Sequence, residues 1–450
     1  MTDEIRTIPP KLTKKEWNAL LDHSLIKEAS YIIYTKTING TQYYYALNGT
    51  TGIIDYSGTS ASAVIQSAWE DMSPNGGCIL LKGEILLDSP LTFAVTHHKK
   101  QLVLRGEGIR STRILWRQNG TAITIESGDP IQYIGWGRFL LEGFQIDCGN
   151  GDEPIEGLGD YNIGNGYAGR NGIALYRVGR LGNINDVWIR YADVGIFVND
   201  TNTDYLETVM LEHCITGIKT RNGTISIANA IFIRDSKFTY CDKAIDLGTG
   251  WTQVIEGGVI EWNHYGIYSG QTEIKNLKIA SCHFEFQTYY DICLEGNLTP
   301  PPIDVVEIEN CYFQSGPYAG GPANYSIKLD RVFYTYIHNI FSANHTIALI
   351  ETTGYTGSIL IENYLINEPK LMDPYSRLRV NSGTATILSG QTSVTFAHGL
   401  AGIPTIVTLG ATHAEVADAI WSADGTNITI TVPSAVTANR NISWYTEVKP

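Results

Sequence analysis

The sequence predicts an all-β fold in which short parallel strands stack coil upon coil into a solenoid, that is, a parallel β-helix. Three observations predict it. A short unit recurs through the middle of the chain, its copies are nearly evenly spaced, and each period holds two or three strand-like segments with almost no helix. Periods in the twenties are typical of solenoids, in which each coil packs only on its neighbours.

The recurring unit consists of a turn residue, a small or apolar residue, a variable residue and then a large apolar residue. Its copies end at Ile146, Ile189, Leu211, Phe238, Ile260, Phe284, Phe313 and Ile366. From Ile189 to Phe313 the successive spacings are 22, 27, 22, 24 and 29 residues. A sandwich of antiparallel sheets is the competing all-β interpretation, but it gives no reason for one unit to repeat at this spacing.

The stretch before the repeat resembles a known family. It reads "SASAVIQSAWEDMSPNGGCILLKGEILLDSPLTF" and then "LVLRGEGIRSTRI", with apolar Ala63, Val64, Ala68 and Met72 at helical spacing. This is similar to the N-terminal end of right-handed parallel β-helices of the pectate-lyase-like superfamily, found in polysaccharide-degrading enzymes and phage tailspikes. The resemblance covers about residues 60 to 372 and implies a right-handed solenoid capped by an amphipathic helix. It leaves the chemistry open, because that superfamily includes lyases, hydrolases, epimerases and non-catalytic fibres.

Three segments are expected along the chain. Residues 1–58 form an N-terminal arm, with a short helix whose N-cap is Thr13 and whose capping box is completed by Glu16, followed by hairpin-like strands around Asn-Gly turns. Residues 59–381 form the β-helix with its capping helix. Residues 382–450 form a small antiparallel β-sandwich, which resembles the C-terminal domains of viral fibre and spike proteins. The arm and this resemblance imply a homotrimer.

Composition narrows the partners and the cofactors. The net charge of −14 and a pI near 5.2 argue against binding to nucleic acid. No apolar run approaches the roughly 18 residues of a membrane span, and no signal peptide is visible, so the tailspike resemblance suggests an extracellular or virion-associated protein. The seven cysteines are odd in number and lack CxxC spacing, which favours buried, reduced thiols over disulfides or a zinc site. No cofactor and no metal are expected.

Candidate functional residues follow from stacking. Equivalent residues of successive coils lie about 4.8 Å apart, so the residue after each repeated apolar position forms a column. We call this the polar column, and it consists of Asp147, Arg190, Glu212, Thr239, Glu261, Glu285 and Gln314. Because it follows an inward residue, it is expected to face outward. The next position gives the ring column, which consists of Cys148, Tyr191, His213, Tyr240, Trp262, Phe286 and Ser315.

Carboxylates stacked this closely indicate acid–base chemistry. They raise one another's pKa, as glycosidases require of a proton donor beside an ionised partner. Glu261 and Glu285, on adjacent coils, would match the separation of about 5 Å in retaining enzymes. Glu212 and Glu261, two coils apart at about 9.6 Å, would lie near the upper limit for inverting ones.

The remaining candidates would bind the substrate. Trp262, Tyr240 and Tyr191 would stack on sugar rings, and His264 and Asp147 would contribute polar contacts. The sequence therefore predicts a polysaccharide-binding and polysaccharide-degrading protein, specifically a tailspike-like glycoside hydrolase with paired carboxylates.

Several alternatives remain open. The carboxylates could be solvated turn residues, and the rings could simply pack between coils. Asp235, Asp242 and Asp246 form a second acidic cluster, and Glu207 or Glu256 could supply the second carboxylate. A polysaccharide lyase acting on uronate polymers would need cations and a base, for which the candidates are Arg190, Arg234, Lys237 and Tyr240. A non-catalytic adhesin or fibre would bind glycans and release nothing. Gly257 and Gly258 are expected where the backbone bends or a neighbour approaches closely.

Overall fold

The structure of the protein is a computed structural model. It describes residues 29–72, 76–95, 101–127, 138–150, 163–199, 201–221, 228–296, 303–314, 325–343, 348–353, 358–367, 380–400 and 403–447. The helix expected to begin at Thr13 lies outside these residues.

The first elements are an antiparallel hairpin, a third strand and the capping helix: β1 (Tyr31–Ile38), β2 (Thr41–Asn48), β3 (Ile54–Gly58) and α1 (Ala61–Asp71). The turn between β1 and β2 consists of Asn39 and Gly40, with φ of 50° and 81°, as a two-residue hairpin turn requires. β1 also pairs in parallel with the first solenoid strand, with Tyr31 opposite Ile79. The predicted hairpin thus forms, and it continues the large sheet of the solenoid.

Helix α1 covers the end of the solenoid core. Its N-cap Ser60 accepts a hydrogen bond from the Ala63 amide, and Trp69 packs edge-on against Phe93 with ring centroids 5.5 Å apart. Val64, Ala68 and Met72 are buried as predicted. The prediction that Ala63 lies on the same buried face is wrong. Ala63 is exposed, because the helical period of 3.6 residues turns it away from the apolar stripe that the other three residues form.

The solenoid strands fall into two parallel sheets. In the first half they are β4 (Gly76–Leu81), β5 (Glu84–Leu87), β6 (Leu91–Val95), β7 (Gln101–Arg105), β8 (Arg113–Trp116), β9 (Gly120–Ser127), β10 (Phe139–Asp147), β11 (Arg170–Tyr176), β12 (Gly179–Arg190), β13 (Val194–Asn199), β14 (Asn202–Glu207), β15 (Met210–Glu212), β16 (Thr216–Arg221) and β17 (Ala228–Arg234).

In the second half they are β18 (Lys237–Thr239), β19 (Lys243–Asp246), β20 (Gly250–Glu256), β21 (Val259–Glu261), β22 (Tyr265–Thr272), β23 (Ile274–Ala280), β24 (His283–Glu285), β25 (Tyr290–Gly296), β26 (Ile303–Glu309), β27 (Tyr312–Gln314), β28 (Tyr325–Asp330), β29 (Val332–Ala343), β30 (Ala348–Thr353) and β31 (Ser358–Asn367). The second sheet consists of β6, β9, β11, β13, β16, β19, β22, β25, β28 and β30, and the first sheet contains the others.

A typical middle coil gives one long strand and one three-residue strand to the first sheet and one strand to the second, as in β20, β21 and β22. The large residues of the repeated unit stack inside: Phe238, Ile260, Phe284 and Phe313 are fully buried, and Phe284 and Phe313 have ring centroids 5.0 Å apart. The predicted fold class, an all-β parallel β-helix, is confirmed.

A single left-handed residue joins the long strand of a coil to its short strand. Asp235, Gly257 and Asn310 occupy this bend in three of the coils, with φ of 47°, 70° and 54°. A Cβ on Gly257 would lie 2.3 Å from Oδ1 of Asp235 in the neighbouring coil, so the expected close approach holds there. It does not hold for Gly258, where an added Cβ would meet nothing nearer than 3.6 Å.

The C-terminal segment forms two small antiparallel sheets, as predicted. Its strands are β32 (Val380–Ile387), β33 (Ser393–Ala397), β34 (Ile406–Ala411), β35 (Ile420–Ala423), β36 (Asn427–Thr431) and β37 (Arg440–Glu447), with a short 3-10 helix at Ala414–Val416. β37 pairs with β32 and β34, and β36 pairs with β33 and β35. Ile387, Ile428, Ile430 and Ile442 are fully buried between them.

All seven cysteines are free thiols, and all except the partly buried Cys78 are buried. Burial raises the pKa of Cys293 to about 12 and that of Cys148 well above its usual value, which keeps both thiols protonated and poorly reactive. No helix among the described residues is long and apolar enough to cross a bilayer.

Candidate functional site

The polar column exists in the predicted register. Parallel pairing aligns Asp147 with Arg190, then each further member with the next: Arg190 with Glu212, Glu212 with Thr239, Thr239 with Glu261, Glu261 with Glu285 and Glu285 with Gln314. The equivalent position of these residues within each repeat unit therefore does bring their side chains into one line along the solenoid axis.

The N-terminal half of this column was expected to face solvent, and that expectation is wrong. Asp147, Glu212 and Thr239 are 1%, 3% and 5% exposed. The described part of the segment before β11 lies over this corner: the Tyr167 amide donates to the Tyr191 carbonyl and the Gly164 amide to the Tyr240 carbonyl, at 2.9 and 2.8 Å. This segment stands outside the repeat, so the repeat pattern could not reveal what it covers.

The two buried carboxylates are neutralised by arginines. Nε of Arg190 lies 3.0 Å from Glu212, and Arg113 and Arg117 both contact Asp147. Burial raises the pKa of Asp147, but the hydrogen bond and charge of Arg113 outweigh it, so the net pKa is lowered. Neither carboxylate is placed to meet a solvent-borne glycan.

Glu261 and Glu285 differ from the rest of the column. Their side chains are 20% and 24% exposed and stand side by side on β21 and β24, one rung of about 4.8 Å apart. Each has a cationic or titratable neighbour on its own or the adjacent strand. Lys237 Nζ lies 2.7 Å from Glu261 Oε1, and His283 Nε2 lies 3.7 Å from Glu285 Oε2.

The ring column is a stack of aromatic side chains on left-handed residues. Tyr191, His213, Tyr240, Trp262 and Phe286 have φ between 54° and 60°. Ring centroids of successive members lie 5.0, 4.8, 6.4 and 4.6 Å apart. Ser315 lies outside the described residues.

Because these rings pack on one another, their faces do not line an open groove as the sugar-stacking expectation supposed. Tyr191 is only 2% exposed, whereas Tyr240, Trp262 and Phe286 remain half-buried. The coil-to-coil packing that was the alternative interpretation is what the rings do. Tyr240, Trp262 and Phe286 therefore keep some exposed surface for a ligand.

Asn263 follows Trp262 and points inward, where it is fully buried. Its Oδ1 accepts the Cys241 amide at 2.8 Å, and its Nδ2 donates to the carbonyls of Glu261 and Phe238 at 2.9 and 3.2 Å. Gln287 occupies the same position one coil later and donates to the Ile260 carbonyl. These amides hold together the corner that carries Glu261.

We expect Asn263→Ala to lower the free energy of unfolding by about 3 kcal/mol, because it leaves buried donors and acceptors of the corner unpaired. Asn276→Ala, at an exposed position of β23, should change it by less than about 0.5 kcal/mol. Urea unfolding of both variants measures the difference. Equal midpoints for the two variants would contradict a structural role for this amide.

His264 turns outward at the same corner. Its Nδ1 lies 2.8 Å from Asp242 Oδ1, and the two side chains are 31% and 38% exposed. The ring also contacts exposed Tyr289, with centroids 5.3 Å apart. His264 is accessible, therefore, but its partner is a carboxylate of the preceding coil.

The second acidic cluster does not assemble. Asp235 lies exposed at the bend of the first sheet, Asp242 pairs with His264 at the corner, and Asp246 lies on β19 in the second sheet. Glu207 and Glu256 flank Arg234 at 3.9 and 3.5 Å on the first sheet. The prediction of the aspartate cluster relied only on the proximity of its members in the sequence. The turns between the strands place them on different parts of the coil.

Among the described residues, one group could hold a metal ion, and the sequence did not reveal it. Ligand atoms of Glu307, Glu309 and His338 lie within 4.8 Å of one another on β26 and β29. Lys278 Nζ lies 2.5 Å from Glu309 and 3.5 Å from Glu307, so an ammonium already pairs with both carboxylates. The arrangement is that of an ion-pair network on an exposed face.

No protein-family model matches the chain, and no curated protein matches it. Several solved structures are similar. The tailspike protein gp49 of Pseudomonas phage LKA1 is 12% identical, covering 86% of this chain and 93% of that one, with a TM-score of 0.39. The A-module of mannuronan C-5 epimerase AlgE4 of Azotobacter vinelandii is 14% identical over 70% and 93%, with a TM-score of 0.40. The catalytic domain of a GH87 alpha-1,3-glucanase is 11% identical over 70% and 64%, with a TM-score of 0.46. Such identities and scores do not discriminate among activities.

Proposed function

We propose that this protein binds a polysaccharide and hydrolyses its glycosidic bonds, with Glu261 and Glu285 as the catalytic pair. One observation carries the proposal. Among the acidic members of the polar column, these two are the ones that reach solvent, and parallel pairing sets them side by side on adjacent coils. Glu212, the third candidate, is excluded from it because it is buried against Arg190.

The spacing favours retention of anomeric configuration. One rung of a parallel sheet is about 4.8 Å, close to the separation of about 5–5.5 Å between nucleophile and acid in retaining glycosidases. The ammonium of Lys237 beside Glu261 suits an ionised nucleophile. Glu285, which lies 3.7 Å from the His283 ring, would then act as the proton donor.

Polar and aromatic neighbours extend this pair into a binding surface. The half-buried rings of Trp262 and Phe286 directly follow the two glutamates, and their outer edges would contact sugar C–H groups. His264, two residues beyond Trp262, presents a half-exposed ring that would hydrogen-bond a hydroxyl. Together these groups favour a glycan lying along the solenoid axis.

The test is a glycan library incubated with the purified protein, followed by product analysis. Hydrolysis produces new reducing ends, whereas a lyase produces an unsaturated sugar that absorbs in the ultraviolet. Binding without either product would establish an adhesin and contradict the proposed hydrolase. Loss of turnover on replacing Glu261 or Glu285, considered in the Discussion, would assign the cleavage to this pair.

We also propose a tailspike-like homotrimer acting outside the cell or on a virion. The C-terminal sandwich presents exposed Ile420, Trp421 and Tyr445, which are 67%, 40% and 41% accessible, and apolar surface of this kind favours association. We expect light scattering to return about three times the chain mass of 49.6 kDa. A value equal to the chain mass would contradict the trimer.

A further inference from the structure

The outer face of the second sheet carries a group of cations that the described carboxylates compensate only in part. Lys219 and Arg221 lie on β16 and Lys243 lies on β19, the neighbouring strand. Among the described residues, no carboxylate lies within ion-pair distance of Lys243 or Arg221, and Lys219 only reaches Asp246 at 4.0 Å. The whole chain has a net charge of −14, so this local excess of positive charge runs against its composition.

Asp246 sits among these cations without fully neutralising them. It is aligned with Lys219 on one side and Tyr268 on the other, and its side chain is 18% exposed. Burial raises its pKa, and the charges of Lys243, Lys219 and Arg221 oppose that rise only in part. Asp242 adds a further small rise. The carboxyl is therefore less readily ionised than an ordinary aspartate.

Three carboxylates near these strands have partners of their own. Asp242 pairs with His264, Glu295 lies 2.7 Å from Lys328, and Glu351 accepts a hydrogen bond from the Tyr290 hydroxyl at 2.7 Å. None of them is placed to pair with the three cations. Among the described residues, the positive charge on β16 and β19 is thus only partly balanced.

Aromatic rings border the cations on the next coils. Lys243 Nζ lies 4.0 Å from the ring centroid of Tyr268, and Tyr265 stacks with Tyr290 at 6.3 Å. Burial raises the pKa of Tyr268 to about 12, so its hydroxyl remains a neutral donor near neutral pH. Ammonium groups beside aromatic rings suit a ligand that has both an anionic group and apolar C–H faces.

We propose that this face of β16, β19 and β22 binds an acidic saccharide, with Lys219, Arg221 and Lys243 contacting its anionic groups and Tyr268 contacting its ring. The proposal rests on the proposed function in taking a glycan as the ligand, and it adds the substrate class. The site is separate from Glu261 and Glu285, which lie on the first sheet.

Calorimetry with three oligosaccharide probes tests the proposal. Oligogalacturonate supplies carboxylates, sulfated dextran oligomers supply sulfates, and dextran oligomers of equal length are neutral. We expect at least one charged probe to bind about tenfold or more tightly than the neutral probe, because charge-assisted hydrogen bonds contribute to its binding alone. The affinity should fall as salt is raised, because these side chains are partly exposed. Which charged probe binds better tells a carboxylate ligand from a sulfate ligand.

Matched lysine variants locate the binding. Lys243→Gln and Lys219→Gln should each weaken binding of the charged probe by about tenfold. Lys275→Gln, on β23 of the first sheet between Glu273 and Asp304, should leave binding unchanged. Asp246→Asn should bind at least as tightly as the unsubstituted protein, because it removes a carboxyl that lies among the cations.

Three outcomes would overturn the site. They are equal binding of neutral and charged probes, unchanged binding in Lys243→Gln, or equal weakening in Lys275→Gln, which would indicate nonspecific attraction. The result is independent of catalysis, because Glu261→Gln should bind the charged probe normally. A protein that binds the probe through Lys243 but cleaves no glycan would contradict the proposed hydrolase and leave this site standing.

Discussion

Glu261→Gln is expected to lower the rate of glycan cleavage by about 1000-fold or more, because the amide can neither attack the anomeric carbon nor accept a proton. Glu285→Gln should cause a comparable loss on natural glycans. If Glu285 is the proton donor, its variant should recover on an aryl glycoside with a good leaving group, which needs no protonation, whereas the Glu261 variant should not. Rates of reducing-end release and of aryl release make this comparison.

Stability separates a catalytic role from a structural one. Lys237 and Glu261 are both partly exposed, so breaking their ion pair should cost no more than about 1 kcal/mol. Glu256→Gln is a matched control, because Glu256 is exposed on the same sheet and pairs with Arg234. It should keep full activity. Full activity in Glu261→Gln, or lost activity together with a collapsed melting temperature, would remove the assignment.

The second large effect concerns Asp204, a fully buried carboxyl in the core on β14. It lies between Gly182 and Ile231 of the adjacent coils, where a Cβ on Gly182 would come within 2.6 Å of its Oδ1. Burial raises its pKa to about 7, and the nearby Thr201 hydroxyl and Gly182 amide offset this only in part. Neither of its oxygens is in good hydrogen-bond geometry with a described residue.

A carboxyl whose pKa is raised by folding binds its proton more tightly in the folded state than in the unfolded state. Its contribution to stability is therefore greatest below the unfolded pKa of 3.8 and is lost as the pH rises to about 7. The rise of this pKa from 3.8 to about 7 corresponds to about 4 kcal/mol. We expect Asp204→Asn to remove this dependence, so that its stability relative to the unsubstituted protein increases from acidic to mildly alkaline pH.

Urea unfolding across that pH range measures the difference in the free energy of unfolding between the two proteins. The contributions of the other titrating groups are the same in both proteins and cancel in this difference. Asp186→Asn, at an exposed left-handed position of β12, is the control and should show no comparable trend. A stability difference that does not vary with pH in Asp204→Asn would show that folding does not raise the pKa of this carboxyl.

Much of the solenoid could be predicted because the same local pattern of apolar residues repeats in each coil. Each coil must bury one large residue at the same position, so Phe238, Ile260, Phe284 and Phe313 recur in the sequence and stack in the core. Parallel pairing of the strands then aligns the residues that follow these positions in adjacent coils. The alignment of Glu261 with Glu285 followed from counting one residue beyond Ile260 and Phe284, and the pairing confirms it.

Exposure along the same column could not be predicted in this way. Asp147 and Glu212 occupy positions equivalent to those of Glu261 and Glu285, yet they are buried. What distinguishes them is a segment outside the repeat, in contact with Tyr191 and Tyr240, and the arginines opposite. A repeat pattern describes how coils resemble each other and contains no information on what an insertion covers.

The sequence by itself determined the fold class, the axis along which coils stack and the register of the polar and ring columns, because these depend on the hydrophobic period and on the fixed spacing of parallel strands. Only the tertiary structure decided which side chains meet solvent, which rings pack on one another and which charges are left uncompensated. Lys219 and Lys243 lie 24 residues apart, and Asp246 and Tyr268 lie 22 apart. They become neighbours because a coil of the solenoid returns the chain to the same sheet, one strand further along.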